Sequence, residues 1–237
     1  MCIRDSDWTN CSTSPRRGSH ASTSSRPRRS PSNCTDVVSR RVAVATKNQG
    51  KLEEIRAALE LPGWEFVPGD ELGDAPDVEE TGETFLANAL LTAEAYAEYF
   101  ALPALADDSG LEVDALAGAP GVRSSRYAGE DASDAENNAR LRAELSARSE
   151  GPWPARFRCV MTLVGVADAP VIAQGTCEGR ILQAPCGTGG FGYDPLFEPA
   201  ETPGRTMAEL STDEKNAISH RGAALATLRG MLGASRT

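Results

Sequence analysis

Leu102-Pro-Ala-Leu-Ala-Asp-Asp-Ser-Gly110 places two adjacent acids and a hydroxyl directly after a short apolar run. Adjacent carboxylates repel each other, so a fold retains them where solvent, a cation or a hydrogen-bond donor offsets the repulsion. We expect the run to be a strand that Gly110 breaks, with Asp107 and Asp108 at its end beside a cleft. An acidic turn, in which either acid caps the next element, is the alternative.

A polar turn earlier in the chain is a candidate phosphate site. Residues 42–46 are typical of a short buried strand, and residues 51–60 form an amphipathic helical pattern. The turn between them consists of Thr46, Lys47, Asn48, Gln49, Gly50 and Lys51. The free N–H groups and the dipole of a helix N-terminus bind phosphate. The turn lacks the first glycine and the Ser or Thr of a Walker A loop, and an ordinary strand-to-helix turn explains it equally well.

The remaining patterns predict an α/β fold with a mixed sheet. The predicted elements are strands at 64–67, 111–116, 155–166 and 171–181, the last two forming a hairpin, and helices at 83–101 and 133–148. Glu79 and Glu80 precede the first of these helices. Acids in that position are usually dipole partners only, but they could reach the same cleft as Asp107 and Asp108.

Gly187-Thr-Gly-Gly-Phe-Gly192 matches the dinucleotide-binding fingerprint formally. That fingerprint must open a helix, whereas Pro195 biases Asp194 away from helix. We expect the glycines to let the backbone approach a flat or charged ligand, with Phe191 and Tyr193 as stacking surfaces. A glycine-rich surface loop is the alternative.

Lysine is rare in this chain, which has 21 Arg but only Lys47, Lys51 and Lys215. Each lysine lies in a candidate motif, which indicates that Lys51 and Lys215 are needed as compact point charges that contact phosphate. Lys215 lies in a capping box that begins at Ser211, and Ser219 can cap the final helix. His220 and Arg221 then stand at a helix N-terminus, where cations are unfavourable unless a ligand uses them.

Composition excludes several classes of function. The net charge of the chain is −10. Residues 1–40 contribute +4, so residues 41–237 carry −14. An acidic body argues against broad binding to nucleic acid or membrane surfaces. The cysteines Cys159, Cys177 and Cys186 show no metal-ligand spacing, and we expect buried reduced thiols. A single histidine after residue 40 excludes a histidine-rich zinc site.

Residues 1–40 are rich in Ser, Arg, Pro and Thr and contain few aliphatic residues, so we expect them to be disordered. The opening Met1-Cys-Ile-Arg-Asp-Ser6 resembles translated adapter sequence. We expect the natural protein to begin near Val37 or Val38, with one domain over residues 41–237.

Seven motifs in register resemble the inosine triphosphate pyrophosphatases, also called non-canonical purine or dITP/XTP pyrophosphatases. They are residues 45–51 with Glu54, Glu79-Glu-Thr-Gly82, Ala106–Leu111, Gly118–Gly121, Ser125–Tyr127, Gly187–Pro195 and Glu214–Arg221. The main departure is Lys47, where many members have glycine.

The resemblance implies a long twisted mixed sheet with flanking helices and two lobes around a central cleft. It also implies a cytoplasmic homodimer that uses Mg²⁺ to hydrolyse ITP, dITP and XTP to the monophosphate and pyrophosphate. Asp108 would be the general base and a metal contact, and Glu79 a further metal ligand. The residues implied in substrate binding are residues 46–51 and Ser109 for the phosphates, and Phe191, Gly192, Tyr193, Asp194, Lys215, His220 and Arg221 for the nucleoside.

The donors of Lys215 and Arg221 suit the C6 oxygen of hypoxanthine and xanthine better than the amino group of adenine. ATP should therefore be a poor substrate. Two alternatives are a related pyrophosphatase acting on modified pyrimidines or 7-methyl-GTP, and a non-catalytic nucleotide-binding module. The second of these predicts damage to the acidic set, which is intact at Glu79, Asp107 and Asp108.

Overall fold

A mixed sheet runs through the protein in this computed structural model, which describes residues 39–234. Its strands are β1 (Arg40–Ala45), β2 (Trp64–Pro68), β3 (Ala104–Val113), β4 (Trp153–Val164), β5 (Val171–Ile181) and β6 (Phe197–Pro199). They are ordered β2-β1-β3-β4-β5-β6. β1 pairs in parallel with β2 and β3, whereas every later pair is antiparallel. The predicted α/β fold class with a mixed sheet is confirmed.

Helices cover the sheet. They are α1 (Gln49–Ala58), α2 (Gly69–Leu72), α3 (Phe85–Phe100), α4 (Asp134–Ser146), α5 (Thr212–Ile218) and α6 (His220–Ala234). Leu52 and Ile55 of α1 pack with Leu225 and Leu228 of α6 against one face. The small residues of α3 pack against alanines of β1 and β3 on another face. The expected apolar face of α1 is confirmed, because its leucine and isoleucine are buried.

Side-chain caps set several helix boundaries. Thr84 accepts a hydrogen bond from the N–H of Ala87, so α3 begins at Phe85, two residues later than predicted. Capping boxes at Ser133 and Ser211 open α4 and α5, as their sequences predict. The Ser219 hydroxyl accepts from the N–H of Gly222 in the first turn of α6, which confirms the predicted cap.

The prediction of a strand that ends at Asp107 and Asp108 and is broken by Gly110 is wrong, because β3 continues to Val113. Gly110 does not break the strand; it makes room beside it. A Cβ at Gly110 would lie 2.4 Å from the carbonyl oxygen of Gly121 and 2.5 Å from Ser124 Oγ. The predicted strand at 111–116 is only the end of β3, followed by a short 3-10 turn at Asp114–Leu116.

α6 approaches β5 very closely, which fixes the position of its first residues. A Cβ at Gly175 would lie 2.1 Å from the carbonyl oxygen of His220 and 2.5 Å from the N–H nitrogen of Ala224. Only glycine permits this contact. The first turn of α6 is therefore placed against the middle of the sheet, next to β3 and β4.

The predictions for residues 1–40 concern a part of the chain outside the described residues, apart from Ser39 and Arg40. β1 begins at Arg40, two residues before the strand predicted at residues 42–46. The glycine-rich stretch at 187–192 opens no helix and leads through a turn into β6, which confirms the rejection of the dinucleotide fingerprint.

Candidate active site

The two acids lie in the middle of β3, so their side chains point to opposite faces of the sheet. Leu105 lies on the same face as Asp107 and packs in the cluster that includes α1 and α6. Ala104 and Ala106 share the face of Asp108 and pack against α3. The alternation of side chains along β3 therefore separates the two carboxylates. Their mutual repulsion is reduced without placing them at a strand end.

Asp107 is buried between two cations. Its Oδ2 lies 3.1 Å from Lys51 Nζ and 3.3 Å from Arg221 Nε, and it also accepts a hydrogen bond from the Ser109 hydroxyl. Burial opposes ionisation of Asp107, but the charges of Lys51 and Arg221 outweigh burial and lower its pKa to about 2. Asp107 is therefore a permanent anion that fastens two cations to the sheet.

Asp108 has the opposite environment. Burial raises its pKa to about 7, and the charge of Glu80 adds to that rise. Asn88 of α3 opposes the rise because its Nδ2 donates to Asp108 Oδ2 at 2.9 Å. The Asn88 orientation is fixed in turn by the N–H of Gly82, which donates to Asn88 Oδ1 at 2.7 Å. Asp108 can therefore exchange a proton near neutral pH.

The turn before α1 brings one cation to this site. Asn48 caps α1 by accepting from the N–H of Lys51 at 3.1 Å. Lys51 Nζ reaches across to Asp107 and also contacts its carbonyl oxygen at 3.3 Å. Lys47 points elsewhere, because its Nζ pairs with Asp77 at 2.8 Å on the exposed surface.

Arg221 is the most deeply buried cation, with 1% of its side chain exposed. Each of its three nitrogens donates to an internal oxygen: Nε to Asp107, Nη1 to Glu54, and Nη2 to Ser109 Oγ at 2.9 Å. The carboxylates of Glu54 and Asp107 offset the unfavourable position of this cation at a helix N-terminus. These carboxylates explain how the fold accommodates Arg221, and the prediction that a ligand uses it stays a prediction.

Lys215 lies beside Glu54 and beneath an aromatic ring. Its Nζ is 2.8 Å from Asp194 Oδ2, 3.3 Å from Glu54 Oε1 and 4.4 Å from the centre of the Phe191 ring. Burial raises the pKa of Asp194, although the charge of Lys215 opposes that rise. Phe191 also contacts α1, since a Cβ at Gly50 would lie 3.0 Å from its ring atoms.

His220 is buried and uncharged. Burial and the nearby charge of Arg221 hold its pKa well below the usual range. Its ring stacks on Phe157 with centroids 4.8 Å apart, and its Nδ1 has no hydrogen-bond partner among the described residues. Because Nδ1 is shielded from solvent, His220 contributes to the cleft as a neutral ring.

Many of these side chains line one cleft of about 150 Å³, whereas Asp107, Glu54 and Asn88 lie outside its lining. The predicted site residues in its lining are Asn48, Lys51, Asp108, Ser109, Phe191, Gly192, Tyr193, Asp194, Lys215, His220 and Arg221. The predicted residues outside its lining are Thr46, Lys47, Gln49, Gly50 and Glu79. Glu79 is exposed, and Glu80 takes its place in the cleft, where Arg126 donates to its carbonyl oxygen at 3.0 Å.

Sequence reasoning missed Asn88, Asp134 and Phe157, and mentioned Glu54 only within a motif. Asn88 is fully buried on the apolar face of α3, and such a lone polar residue is a usable sequence signal. Glu54 lies three residues after Lys51 on the same face of α1. Asp134 carries no such signal, because an acid in the first turn of a helix is expected there for its dipole.

One further expectation about the described residues concerns their cysteines. Cys159 and Cys177 are buried and unpaired as predicted, but Cys186 is exposed, contrary to prediction. Within residues 39–234, every helix is too short or too polar to cross a bilayer.

The chain is similar to a set of known proteins. The sequence profile of the Ham1 family matches residues 42–231. A dITP/XTP pyrophosphatase of Geobacter sulfurreducens is 51% identical over 193 residues, which cover 81% of this chain and 96% of that protein. A dITP/XTP pyrophosphatase of Methylococcus capsulatus is 49% identical over 195 residues, which cover 81% of this chain and 96% of the other.

Solved structures are also similar. A HAM1 protein from Coxiella burnetii superposes with a TM-score of 0.74 at 45% identity, covering 82% of this chain and 98% of that one. The Ham1 protein of Staphylococcus aureus gives a TM-score of 0.74 at 39% identity, covering 83% of this chain and all of the other. The described fold is therefore similar to that of two solved Ham1 proteins along almost their whole length.

Proposed function

Because this chain belongs to the Ham1 family, we propose that the cleft around Asp108 is the place where it hydrolyses non-canonical purine nucleoside triphosphates. The relatives named dITP/XTP pyrophosphatases match most of the chain, and the protein is a hydrolase of that class. The products are the nucleoside monophosphate and pyrophosphate.

The proposal rests on one observation: Asp108 lines the same cleft as the cation Lys51, and burial there raises the pKa of its carboxyl group to about 7. A general base works best when its pKa lies near the working pH. Asp108 accepts a proton from water as the water oxygen attacks the α-phosphorus. The bond from that phosphorus to the bridging oxygen then breaks, and pyrophosphate leaves with the electron pair.

The phosphate groups bind at the α1 end of the cleft. Lys51 and Ser109 line it there, and the N-terminus of α1 adds its dipole. Arg221 Nη2 donates to the Ser109 hydroxyl oxygen, and the Ser109 hydroxyl donates to Asp107, so a phosphate oxygen would replace Asp107 as the acceptor of that proton. These groups hold the α-phosphorus next to Asp108.

The base binds at the other end, near the Phe191 ring. Asp194 and Glu54 engage two of the three N–H groups of Lys215, so a third is available to a carbonyl oxygen of the base. Neutral His220 lines the cleft nearby. This set of groups favours the C6 oxygen of hypoxanthine and xanthine over the amino group of adenine.

The donor set fits Mg²⁺ carried by the substrate. Among residues 39–234, no three Asp, Glu, His or Cys side chains converge tightly enough to hold a metal alone. Mg²⁺ is commonly held by one or two carboxylates together with substrate phosphates. Asp108 and Glu80 line the cleft, and the charge of Glu80 contributes to the raised pKa of Asp108, an effect that a bound cation would offset. Glu79 is the adjacent alternative ligand. Bound Mg²⁺ would neutralise phosphate charge and polarise the α-phosphoryl group.

A panel of nucleotides tests the proposal, with phosphate and pyrophosphate measured separately. We expect pyrophosphate from ITP, dITP and XTP and little turnover of ATP. Release of phosphate alone, or a preference for modified pyrimidines or 7-methyl-GTP, would contradict it. Binding without turnover would indicate a nucleotide-binding module. The implied homodimer is a separate proposal, supported by the resemblance alone, and sedimentation analysis of the purified protein tests it.

A further inference from the structure

The glycine-rich loop is held from the side by α4, at the residue that follows Phe191. Asp134 Oδ2 accepts from the N–H of Gly192 at 2.6 Å, and Asn138 Nδ2 donates to the carbonyl oxygen of Gly192 at 2.8 Å. Asp134 and Asn138 are four residues apart, so they lie on the same face of α4. Both backbone polar groups of one glycine are therefore held by two side chains of one helix.

The orientation of the Asn138 amide follows from its neighbours. Its Nδ2 also donates to the carbonyl oxygen of Asp134 at 2.8 Å, so both groups in front of it are acceptors. An amide rotated by half a turn would place its own oxygen against two carbonyl oxygens. Asn138 is therefore committed to donating, and no acidic residue of similar shape can replace it.

Phe191 is fixed at a second point. Its N–H donates to Asp194 Oδ2 at 2.9 Å, and the same oxygen binds Lys215. With Gly192 held by α4, the backbone is restrained on both sides of Phe191. The ring is consequently kept over Lys215 and against Gly50, where it borders the cleft.

We propose that Asn138, assisted by Asp134, is a positioning residue that sets the place of the Phe191 ring and thereby the binding of the nucleoside. Asn138 itself does not line the cleft, so it acts through Gly192. The phosphates are proposed to bind Lys51 and Ser109, and the hydrogen bonds of Asn138 and Asp134 to Gly192 do not involve either residue. Loss of these hydrogen bonds should therefore weaken binding of the nucleoside and leave phosphate binding unchanged. The inference rests on the proposed function.

The test compares Asn138→Ala with Arg142→Ala in the full chain. Arg142 is a matched control, because it also donates from α4 to a backbone carbonyl oxygen, that of Gln183, but lies outside the cleft. For each variant, KM and kcat are measured with ITP, and the inhibition constant is measured for inorganic tripolyphosphate, which has no nucleoside. Asn138→Ala loses the hydrogen bonds to Asp134 and Gly192, and loss of the bond to Gly192 should raise KM by about three- to tenfold.

The expected pattern is a raised KM with kcat within about twofold, an unchanged inhibition constant for tripolyphosphate, and no change in Arg142→Ala. Asn138→Asp should be worse than Asn138→Ala, because it sets a carboxylate against two carbonyl oxygens. Asp134→Asn, which keeps an acceptor for the Gly192 N–H, should restore most of the affinity that Asp134→Ala loses.

A parallel loss of tripolyphosphate binding, a fall in kcat alone, or an unchanged KM in Asn138→Ala would overturn the inference. A wild-type protein that does not hydrolyse ITP would instead overturn the proposed function. The two failures are therefore distinguishable within one set of measurements.

Discussion

Asp107 and Asp108 are adjacent in β3, yet the pKa of Asp107 is lowered to about 2 and that of Asp108 is raised to about 7. Burial opposes ionisation of both carboxyl groups. Lys51 and Arg221 outweigh this effect of burial only at Asp107, because Asp107 points to the face of the sheet on which their charged groups lie. One acid is therefore structural and permanently charged, and the other can act as a base. Pairs of carboxyls separated in this way usually mark different catalytic roles.

The two acids should give opposite pH dependence of stability in chelator-containing buffer. Folded Asp108 keeps its proton up to about pH 7 and unfolded Asp108 loses it near pH 4, so its contribution falls as pH rises through that window. At pH 8 we expect Asp108→Asn to be more stable than wild type by about 1 to 4 kcal/mol in free energy of unfolding, and so to have a higher Tm. The difference should vanish near pH 4. Thermal unfolding at both pH values measures this.

Asp107→Asn should behave in the reverse manner. The lowered pKa of Asp107 stabilises the fold above about pH 4, and that contribution is lost as pH falls toward 2. The variant should be less stable than wild type at pH 7 and similar to it near pH 2. Equal pH profiles for both variants would contradict the separation of the two environments.

The adjacent acids Glu79 and Glu80 can be compared directly. Glu80 lines the cleft and interacts with Asp108, whereas Glu79 is exposed. We expect Glu80→Gln to raise the Mg²⁺ concentration needed for half-maximal ITP hydrolysis by about tenfold or more, and Glu79→Gln to change it little. Magnesium titrations of both variants measure this. A larger shift for Glu79→Gln would restore the assignment made from the sequence.

Lys215 and Arg221 should differ in how they affect base selectivity. Lys215 retains an N–H group for the base, whereas Arg221 is bonded internally at each nitrogen. Lys215→Met should lose about tenfold more kcat/KM on ITP and XTP than on ATP. Arg221→Lys should lose similar factors on all three substrates and should also lower Tm, because the lysine ammonium cannot reproduce the planar set of donors that Arg221 directs at Asp107, Glu54 and Ser109. A selective loss in Arg221→Lys would show that Arg221 reads the base.

The sequence was sufficient for the order of the longer elements and for most of the cleft lining, because hydrophobic periodicity and capping boxes are local. It did not predict the short elements α2 and β6. It misplaced the acid pair at a strand end, since the alternation of a continuous strand and the space left by Gly110 depend on packing with residues 121–124. The network of Glu54 with Arg221 joins residues 167 positions apart, and such a contact has no local pattern. Asp134 was missed because its partner is a backbone N–H group.

The turnover of ITP by Asp108→Asn and Asp107→Asn tests the central claim most directly, with pyrophosphate release measured at saturating Mg²⁺ and folding checked by circular dichroism. Replacing a general base typically lowers kcat by about 10²- to 10⁴-fold. We predict that loss for Asp108→Asn, with KM within a few-fold of wild type, and a smaller loss of kcat for folded Asp107→Asn. Wild-type turnover in Asp108→Asn, or a greater loss of kcat in Asp107→Asn, would contradict the assignment of Asp108 as the base.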